Sequence, residues 1–582
     1  MTWLSTSRSW QNGPWSFDVR GDEIADITYS GRPVLRSVRA VVRDRNWDTA
    51  DLVVDRVRDS GTTLTLHVRS QGLGSSFRGI VRVEARHSRL IVLADLESER
   101  DFATNRTGLV VLHPPQLAGE ALRVTHTDRT VEESVFPAQI SPHQPVFDIA
   151  QLSWLRAGSE VSVAFDGDVF EMEDQRNWSD ASFKTYSRPL AMPFPYSIPA
   201  GTRVQQRVLI DVRDVAVANE AAEADVVHLE LGGPVFELGL GAATAPDPDP
   251  APERGEVTPA SVLVELDLRT SNWQAALDRA AASGAPLDIR VIASAGAPWD
   301  EVITSLAPFA DSPGVVRVGV FDSSRHVTDA AVLNALRTAQ RAAGVHVPIV
   351  AGSRAHFTEL NREWDITPPE VDGVTFSTTP LFHSLSTEQL IESVAIQRTI
   401  ARQAVRLADG RPVHVGPITL RPRFNSVATE PPPAHADTDL THGYGAELSG
   451  EDDQRQSSPE LAAWTVASAA AVAVDGVASI TFFEEWGPRG VRDARGEPFP
   501  VSEAVAALLS LRVPGALTLS GSSPDGLVWA IGARLSDRET VLVASLDRIT
   551  RTITVTSDRS AAVVSVSPGS FRTIDLEPVS AN

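Results

Sequence analysis

The chain has 582 residues, of which 42% are hydrophobic and 22% charged, a globular composition in a chain too long for one ordinary domain. The net charge of −23 argues against nucleic acid and anionic membranes as partners, and the absence of cysteine excludes disulfides, thiolate nucleophiles and cysteine-based metal sites. No apolar run is long enough to span a membrane and no secretory signal is visible, so we expect a soluble, cytoplasmic protein of several domains.

Residues 1–240 are predicted to form an N-terminal antiparallel β-sandwich. Runs such as TLTLHVRS (63–70) and RLIVLADL (89–96) alternate apolar and polar residues between turn signals, without a convincing helical period. Residues 241–258 contain the string APDPDPAPERGE, and this composition predicts an extended, solvated linker.

Residues 259–512 change to an alternation of strand and helix patterns, beginning with the apolar run VLVELDL (262–268). Seven such units predict a (β/α)8 TIM-type barrel with one irregular unit. A doubly wound open sheet is the alternative, although no glycine-rich phosphate turn follows the first strand. Alternating strands return in residues 513–582, which predicts a small C-terminal β-domain.

Two long helices are predicted within the barrel region, at 328–344 and 386–410. The second begins with Ser386 and Gln389 in capping-box spacing and ends at Gly410.

Several common chemistries find no motif in the chain. There is no G-x-S-x-G nucleophile turn, no H-E-x-x-H, no Walker loop and no complete G-x-G-x-x-G. The 13 histidines show no metal-ligand spacing on one helix. We therefore expect neither a metal nor a cofactor.

Lys184 is the only lysine among 52 basic residues, and both internal methionines and two of the four tyrosines share its stretch, 170–196. Arginine is a permanently charged fork, whereas lysine is a compact ammonium whose pKa burial can shift. A lysine kept where every other basic residue is arginine points to a task that arginine cannot perform.

The segment just before Lys184 is dense in polar groups. Tryptophan can offer an apolar face to a sugar ring, while carboxylates and amides bind hydroxyls. The alternative is a solvated hairpin loop. The candidate substrate-binding residues in this segment are Glu173, Asp174, Arg176, Asn177, Trp178 and Asp180.

Polar residues also follow successive strands of the predicted barrel, where barrel active sites lie. Two carboxylates on different strand ends, Glu359 and Glu484, are the candidates for general acid and base, and Lys184 is the third catalytic candidate. Taken singly, each of these carboxylates is also compatible with a loop salt bridge. The candidate binding residues in these loops are His383, Arg423, Asn425 and Trp486.

Six strings of the chain resemble the D-apionate lactonase family: NRTGLVVLHP (105–114), FPAQISPHQPVFDI (136–149), FEMEDQRNWSDASFKTY (170–186), HFTELNR (356–362), GPITLRPRFN (416–425) and ITFFEEWGPRG (480–490). The third string is the most specific, and the resemblance extends from about residue 100 to 490. It implies hydrolysis of D-apionolactone, a branched-sugar γ-lactone, to D-apionate in bacterial apiose catabolism. A mutarotase-like sandwich followed by a barrel is also similar to many glycoside hydrolases.

Three functions therefore stay open. The first is a hydrolase that opens a sugar lactone by water attack, with a carboxylate base and with Lys184 or Arg176 stabilising the oxyanion. The second is a retaining glycoside hydrolase with Glu359 as acid/base and Glu484 as nucleophile. The third is a non-catalytic sugar-binding protein. All three imply a small-molecule sugar lactone or glycoside as the ligand, and the oligomeric state is left open.

Overall fold

The structure is a computed structural model. It describes residue 3 and residues 7–156, 158–214, 225–246, 252–253, 255, 257–270, 272–309, 314–428 and 452–578. Among the helices in these ranges, none is long and apolar enough to cross a membrane.

The N-terminal part is an antiparallel β-domain in which 17 strands form one sheet that folds over an apolar core, while β10 and β18 pair separately. In β9, buried and partly exposed residues alternate along the strand, as the sequence pattern predicts. The strands are β1 (Arg8–Asn12), β2 (Trp15–Arg20), β3 (Glu23–Tyr29), β4 (Arg32–Arg43), β5 (Thr49–Ala50), β6 (Leu52–Asp59), β7 (Thr63–Gly72), β8 (Ser75–Arg86), β9 (Arg89–Ser98), β10 (Phe102–Thr104), β11 (Arg106–His113), β12 (Ala121–His126), β13 (Val131–Val135), β14 (Val146–Arg156), β15 (Ser159–Asp166), β16 (Phe170–Asp174), β17 (Phe183–Tyr186), β18 (Tyr196–Ile198) and β19 (Arg203–Asp214).

Two short strands, β20 (Val226–His228) and β21 (Glu230–Pro234), precede a closed barrel of eight parallel strands. Closure confirms the barrel and excludes the open sheet. The barrel strands are β22 (Glu237–Gly241), β23 (Val262–Asp267), β24 (Leu287–Ala293), β25 (Val315–Asp322), β26 (Ile349–Gly352), β27 (Gly373–Thr378), β28 (Val413–Ile418) and β29 (Val477–Glu484).

The barrel starts earlier than residue 259, because β22 lies before the predicted linker and closes the barrel against β29. Its two glycines hid it from the strand pattern. A Cβ on Gly239 would lie 2.9 Å from Thr481 Oγ1, and one on Gly241 would lie 2.9 Å from the carbonyl oxygen of Phe483. Glycine therefore lets this strand approach its neighbour closely.

Within the described ranges, seven α-helices accompany the barrel: α1 (Trp273–Ala282), α2 (Trp299–Leu306), α3 (Ala330–Ala343), α4 (Phe357–Arg362), α5 (Thr387–Ala408), α6 (Glu460–Val472) and α7 (Val501–Ser510). Both predicted long helices are present, as α3 and α5. Ser386 caps α5 by accepting a hydrogen bond from the backbone of Gln389, as expected. The Gln389 side chain does not complete the capping box, because it donates to Asp180 of the β-domain.

The C-terminal strands form a five-stranded and a four-stranded sheet, which β21 and β20 join respectively. These strands are β30 (Leu517–Ser522), β31 (Val528–Arg534), β32 (Glu539–Ser545), β33 (Arg551–Thr556), β34 (Ser560–Val566), β35 (Ser570–Asp575) and β36 (Glu577–Pro578). The predicted fold class, an antiparallel β-domain, a TIM-type barrel and a C-terminal β-domain, is confirmed.

Candidate active site

The candidate site is built on the hairpin that β16 and β17 form, joined by a 3-10 turn at Gln175–Trp178. The strand register pairs Glu173 with Lys184 and Glu171 with Tyr186. Because alternate residues of a strand face the same side, these four side chains share one face of the hairpin.

Two more strands extend this face of the β-domain. Strand β11 pairs with β17 so that Val110 lies opposite Tyr186, and it pairs with β4 so that Arg106 lies opposite Arg43. Arg43, Arg106, Lys184 and Tyr186 all line a common cleft. This face of the sheet therefore carries three cations, and it lies on the side opposite the apolar core.

The hairpin reaches the barrel through direct hydrogen bonds. Asn361 donates to the side chain of Asn177 at 2.9 Å, and Thr358 donates to its carbonyl oxygen at 2.9 Å. Gln389 donates to Asp180 at 2.9 Å. These bonds hold the hairpin against α4 and α5.

The cleft between the β-domain and the barrel has a volume of about 1140 Å³. The β-domain contributes the cationic face, and the barrel contributes Arg362 from α4 and Phe382 and His383 from a loop. Pockets that take small ligands combine apolar walls with a few convergent polar groups. This cleft has both.

Lys184 forms a buried ion pair with Glu173, with 2.5 Å between Nζ and Oε2. Burial raises the pKa of Glu173, but the positive charges of Lys184 and Arg362 lower it by more than burial raises it. The pKa of Glu173 therefore lies well below its usual range. Burial lowers the pKa of Lys184, and Glu173 opposes this effect. Glu173 thus stays ionised and holds an ammonium group at the wall of the cleft.

His383 forms a second buried pair, with its Nδ1 2.8 Å from Oδ2 of Asp180. A carboxylate only accepts hydrogen bonds, so Nδ1 donates and Nε2 keeps its lone pair. Burial lowers the pKa of His383, although Asp180 raises it. The imidazole is therefore neutral at pH 7, and the structure gives its Nε2 no hydrogen-bond partner among the described residues.

Five of the predicted site residues line the cleft: Glu173, Trp178, Lys184, His383 and Asn425. Asp180 is joined to them through His383. Trp178 does not offer the open face that we predicted for a sugar ring, because it is only 3% exposed and stacks on Phe382 at 4.6 Å. It acts as a wall that orients Glu173, to which its Nε1 donates at 3.1 Å.

Three predicted binding residues are structural. Arg176 is buried, pairs with Asp174 at 2.7 Å and donates to the carbonyl oxygen of Pro137. Asn177 donates to the carbonyl oxygen of Ser141 at 2.5 Å. All three are absent from the cleft lining, so Arg176 is not placed to stabilise an oxyanion there.

Glu359 lies at the third position of α4, where its side chain accepts a hydrogen bond from the backbone of His356 at 2.8 Å. Its other oxygen accepts from Ser426 at 3.0 Å. This is a capping box, and burial there raises the pKa of Glu359. Histidine stands at the cap position instead of the usual serine or threonine, so the sequence spacing did not predict this role.

The remaining predicted residues lie around the barrel mouth, outside the cleft lining. Glu484 accepts hydrogen bonds from the backbone and side chain of Thr244 at 3.0 and 2.7 Å. Arg423 pairs with Glu265, and Trp486 packs against Arg279. Glu359 and Glu484 therefore do not meet Lys184 in the cleft, and this geometry does not support their pairing as acid and base.

Most residues of the cleft lining were not predicted, among them Arg43, Trp47, Arg106 and Phe194. Arg106 belongs to the string NRTGLVVLHP that resembles the family, which was the available signal. Arg43 comes next to Arg106 only through the pairing of β4 with β11, and the sequence pattern does not specify that register. Trp47 and Phe194 lie in loops, where no strand pattern could select them.

The comparisons with known proteins agree with this architecture. Family models for the N-terminal domain and the TIM barrel domain of D-apionate lactonase match residues 2–215 and 238–513. A D-apionate lactonase of Brucella anthropi is 29% identical over 92% of this chain and 94% of that protein.

Two solved structures are more distant. A GH30 endoxylanase of Clostridium papyrosolvens has a TM-score of 0.39 and 10% identity over 61% of this chain and 100% of its own. A galactose mutarotase-like protein of Lactobacillus casei has a TM-score of 0.25 and 10% identity over 36% of this chain and 100% of its own. The two family models cover both domains that form the cleft, and the chain belongs to the D-apionate lactonase family, a finding that supports the prediction of a hydrolase of the lactonase class.

Proposed function

We propose that this protein opens a sugar-acid lactone similar to D-apionolactone, and that the reaction takes place in the cleft between the β-domain and the barrel. The observation that carries the proposal is that Lys184 and His383, which Asp180 holds by a hydrogen bond, line the same cleft. A base for water and a cation for an oxyanion are the two groups that lactone hydrolysis by direct water attack requires.

In the proposed reaction, Nε2 of neutral His383 takes a proton from a water molecule, whose oxygen attacks the lactone carbonyl carbon. The ammonium of Lys184 stabilises the oxyanion of the tetrahedral intermediate. The bond between the carbonyl carbon and the ring oxygen then breaks, and His383 returns the proton to the leaving alkoxide. Asp180 stabilises the imidazolium between the two proton transfers.

This assignment replaces Glu359 and Glu484 as the proposed acid and base. Glu173 is a poor alternative base, because its low pKa leaves it little tendency to accept a proton. Its proposed role is to hold Lys184 in place.

The proposal is tested by incubating the purified protein with D-apionolactone, with other five-membered sugar lactones and with aryl glycosides. Acid release is followed by titration at constant pH and compared with spontaneous hydrolysis. We expect saturable opening of lactones with the highest kcat/KM for D-apionolactone. Release of aryl groups from glycosides, with lactones left at the spontaneous rate, would favour the glycoside hydrolase instead.

A further inference from the structure

Arg43 and Arg106 form an unusual pair of cations on the floor of the cleft. They lie directly opposite each other on β4 and β11 and face the same side. Like charges directly opposite on neighbouring strands destabilise a sheet. A fold that keeps such a pair needs a compensating anion.

The described residues supply no carboxylate partner to either guanidinium. Arg43 makes no hydrogen bond with a described side chain, and burial lowers its pKa. Arg106 is 4% exposed and donates only to the carbonyl oxygen of Asn105, while its Nε and Nη2 are buried without a partner. Glu173 and Asp180, two carboxylates whose charges act on Arg43, are already paired with Lys184 and His383. Asp48 also acts on Arg43, and Glu171 acts on Arg106, through charge alone, because neither forms an ion pair with these guanidinium groups.

Other arginines of the same cleft differ in this respect. Arg39, four residues before Arg43 on the same strand, pairs with Asp22 at 3.1 Å. Arg20 pairs with Asp26. Arg20 and Arg39 also have nitrogen atoms without a hydrogen-bond partner, so the missing carboxylate ion pair is what distinguishes Arg43 and Arg106 from them.

Aromatic rings hold Arg106 in place. Its guanidinium carbon lies 4.9, 5.4 and 5.8 Å from the ring centroids of Trp47, Tyr186 and Phe194. Nζ of Lys184 lies 5.0 Å from the same Tyr186 ring. Arg106 is thus next to Lys184 at the proposed reaction centre. The rings also exclude water from the guanidinium, which strengthens its attraction for an anion.

We propose that Arg43 and Arg106 form a carboxylate subsite that receives the carboxylate of the ring-opened sugar acid. The inference rests on the proposed function, because hydrolysis converts a neutral lactone into an acid that ionises at pH 7. A planar guanidinium pairs well with a planar carboxylate. The free acid therefore binds in the cleft and inhibits the enzyme competitively.

The test measures equilibrium binding of D-apionate by isothermal titration calorimetry, with the primary amide of the same acid as a neutral analogue and inorganic phosphate as a second anion. Wild type is compared with Arg43→Met, Arg106→Met and the matched control Arg20→Met. We expect Arg43→Met and Arg106→Met each to weaken D-apionate binding by about 10- to 100-fold, as for a lost hydrogen bond to a charged group. Binding of the amide, and binding of D-apionate to Arg20→Met, should change by less than about threefold, the size expected of a distant charge.

Thermal unfolding is a second measurement, and it distinguishes an arginine that binds a ligand from one that only supports the fold. Arg106 is buried with two unpartnered nitrogens, so Arg106→Met should have a higher Tm than wild type without ligand, whereas loss of a structural arginine would lower it. D-apionate should raise the Tm of wild type more than that of Arg43→Met. Phosphate binding as tight as D-apionate binding would overturn the assignment to a carboxylate.

The subsite is overturned if D-apionate binds both variants as tightly as wild type, or if the amide loses as much affinity as the acid. These outcomes do not depend on turnover. Arginine-dependent binding of D-apionate by a protein that opens no lactone would leave the subsite standing and overturn the proposed function. Turnover with arginine-independent binding would do the reverse.

Discussion

Lys184 is the one predicted catalytic residue that lines the cleft. Its ammonium lies 2.5 Å from Glu173 and is almost buried, with 6% of the residue exposed. The planar fork of arginine is longer and cannot occupy the same point. We expect Lys184→Arg and Lys184→Met both to lower kcat by about 10²- to 10³-fold, the effect of losing one oxyanion donor.

Steady-state kinetics on D-apionolactone checks this expectation, with circular dichroism to verify folding. A Lys184→Arg enzyme with wild-type kcat would show that any cation suffices at this position. It would contradict the inference that the single lysine was kept for a task that arginine cannot perform.

His383 should set the acid side of the pH profile. Its pKa is lowered, first by burial and then by Lys184 and Arg43, so the neutral base persists below the ordinary histidine value of about 6.5. The acid limb of kcat/KM is therefore expected below that pH. Replacing Lys184 with methionine removes a cation, raises the pKa of His383 and should move the limb to higher pH.

The measurement is kcat/KM against pH for wild type and Lys184→Met. A limb that stays in place, or that moves to lower pH, would mean that a group other than His383 is being titrated.

The residues that the sequence could not place are those that depend on strand register. Lys184 and His383 were selected from composition and from their position along predicted strands and loops. The sequence predicted only a binding role for His383, and its role as a base is proposed from the structure. Arg43 and Arg106 are separated by more than 60 positions in the chain and meet through the pairing of β4 with β11. Nothing in a single sequence specifies that pairing.

Helices and their caps show where local patterns are sufficient. Helix α5 was predicted at 386–410 and is observed at Thr387–Ala408 with the expected serine cap. The β22 strand was missed because close approach to β29 requires glycines, which weaken the strand pattern. Side chains at helix starts also serve distant partners, as Gln389 does for Asp180, and local spacing cannot reveal this.

Gln389 is a positioning residue, because it donates to Asp180, which in turn orients His383. We expect Gln389→Leu to lower kcat by about 10- to 100-fold with a smaller change in KM, since small misplacements of catalytic groups are costly. Gln403→Leu is the matched control on the same helix, because Gln403 is also buried but bonds only to Ile140 and Asn361.

Both variants are expected to lose stability, so stability does not distinguish the two glutamines. The comparison is made on kcat, which should fall only in Gln389→Leu. Equal kcat values in the two variants would reduce Gln389 to a structural residue.

At the scale of the whole molecule, the β-domain core contains a histidine that should contribute to the loss of stability in acid. His113 is fully buried, and burial lowers its pKa to about 3. The unfolded chain binds a proton below about pH 6.5 while the folded chain does not, so stability is present above 6.5 and falls as the pH decreases. The loss from this group between pH 7 and pH 5 is about 2 kcal/mol.

Urea unfolding of wild type and His113→Asn at pH 7 and pH 5 measures this effect. The variant should show a smaller pH dependence, whereas His228→Gln, at an exposed position, should match wild type. An unchanged pH dependence in His113→Asn would contradict the burial argument.

The two domains together make the site, since the β-domain supplies Asp180 and Lys184 and the barrel supplies His383. This explains why neither the β-domain nor the barrel pattern alone identified the base. The barrel mouth, where we predicted the catalytic carboxylates, holds Glu359 in a helix cap and Glu484 in bonds to Thr244.

The most direct test of this account compares kcat/KM for D-apionolactone in His383→Gln and Glu359→Gln. Glutamine at position 359 can still accept the capping hydrogen bond, because capping boxes use glutamate or glutamine. We predict a loss of about 10²-fold or more for His383→Gln, as for a lost general base, and nearly wild-type activity for Glu359→Gln. A large loss in Glu359→Gln together with an active His383→Gln would contradict the account and return the chemistry to the barrel mouth.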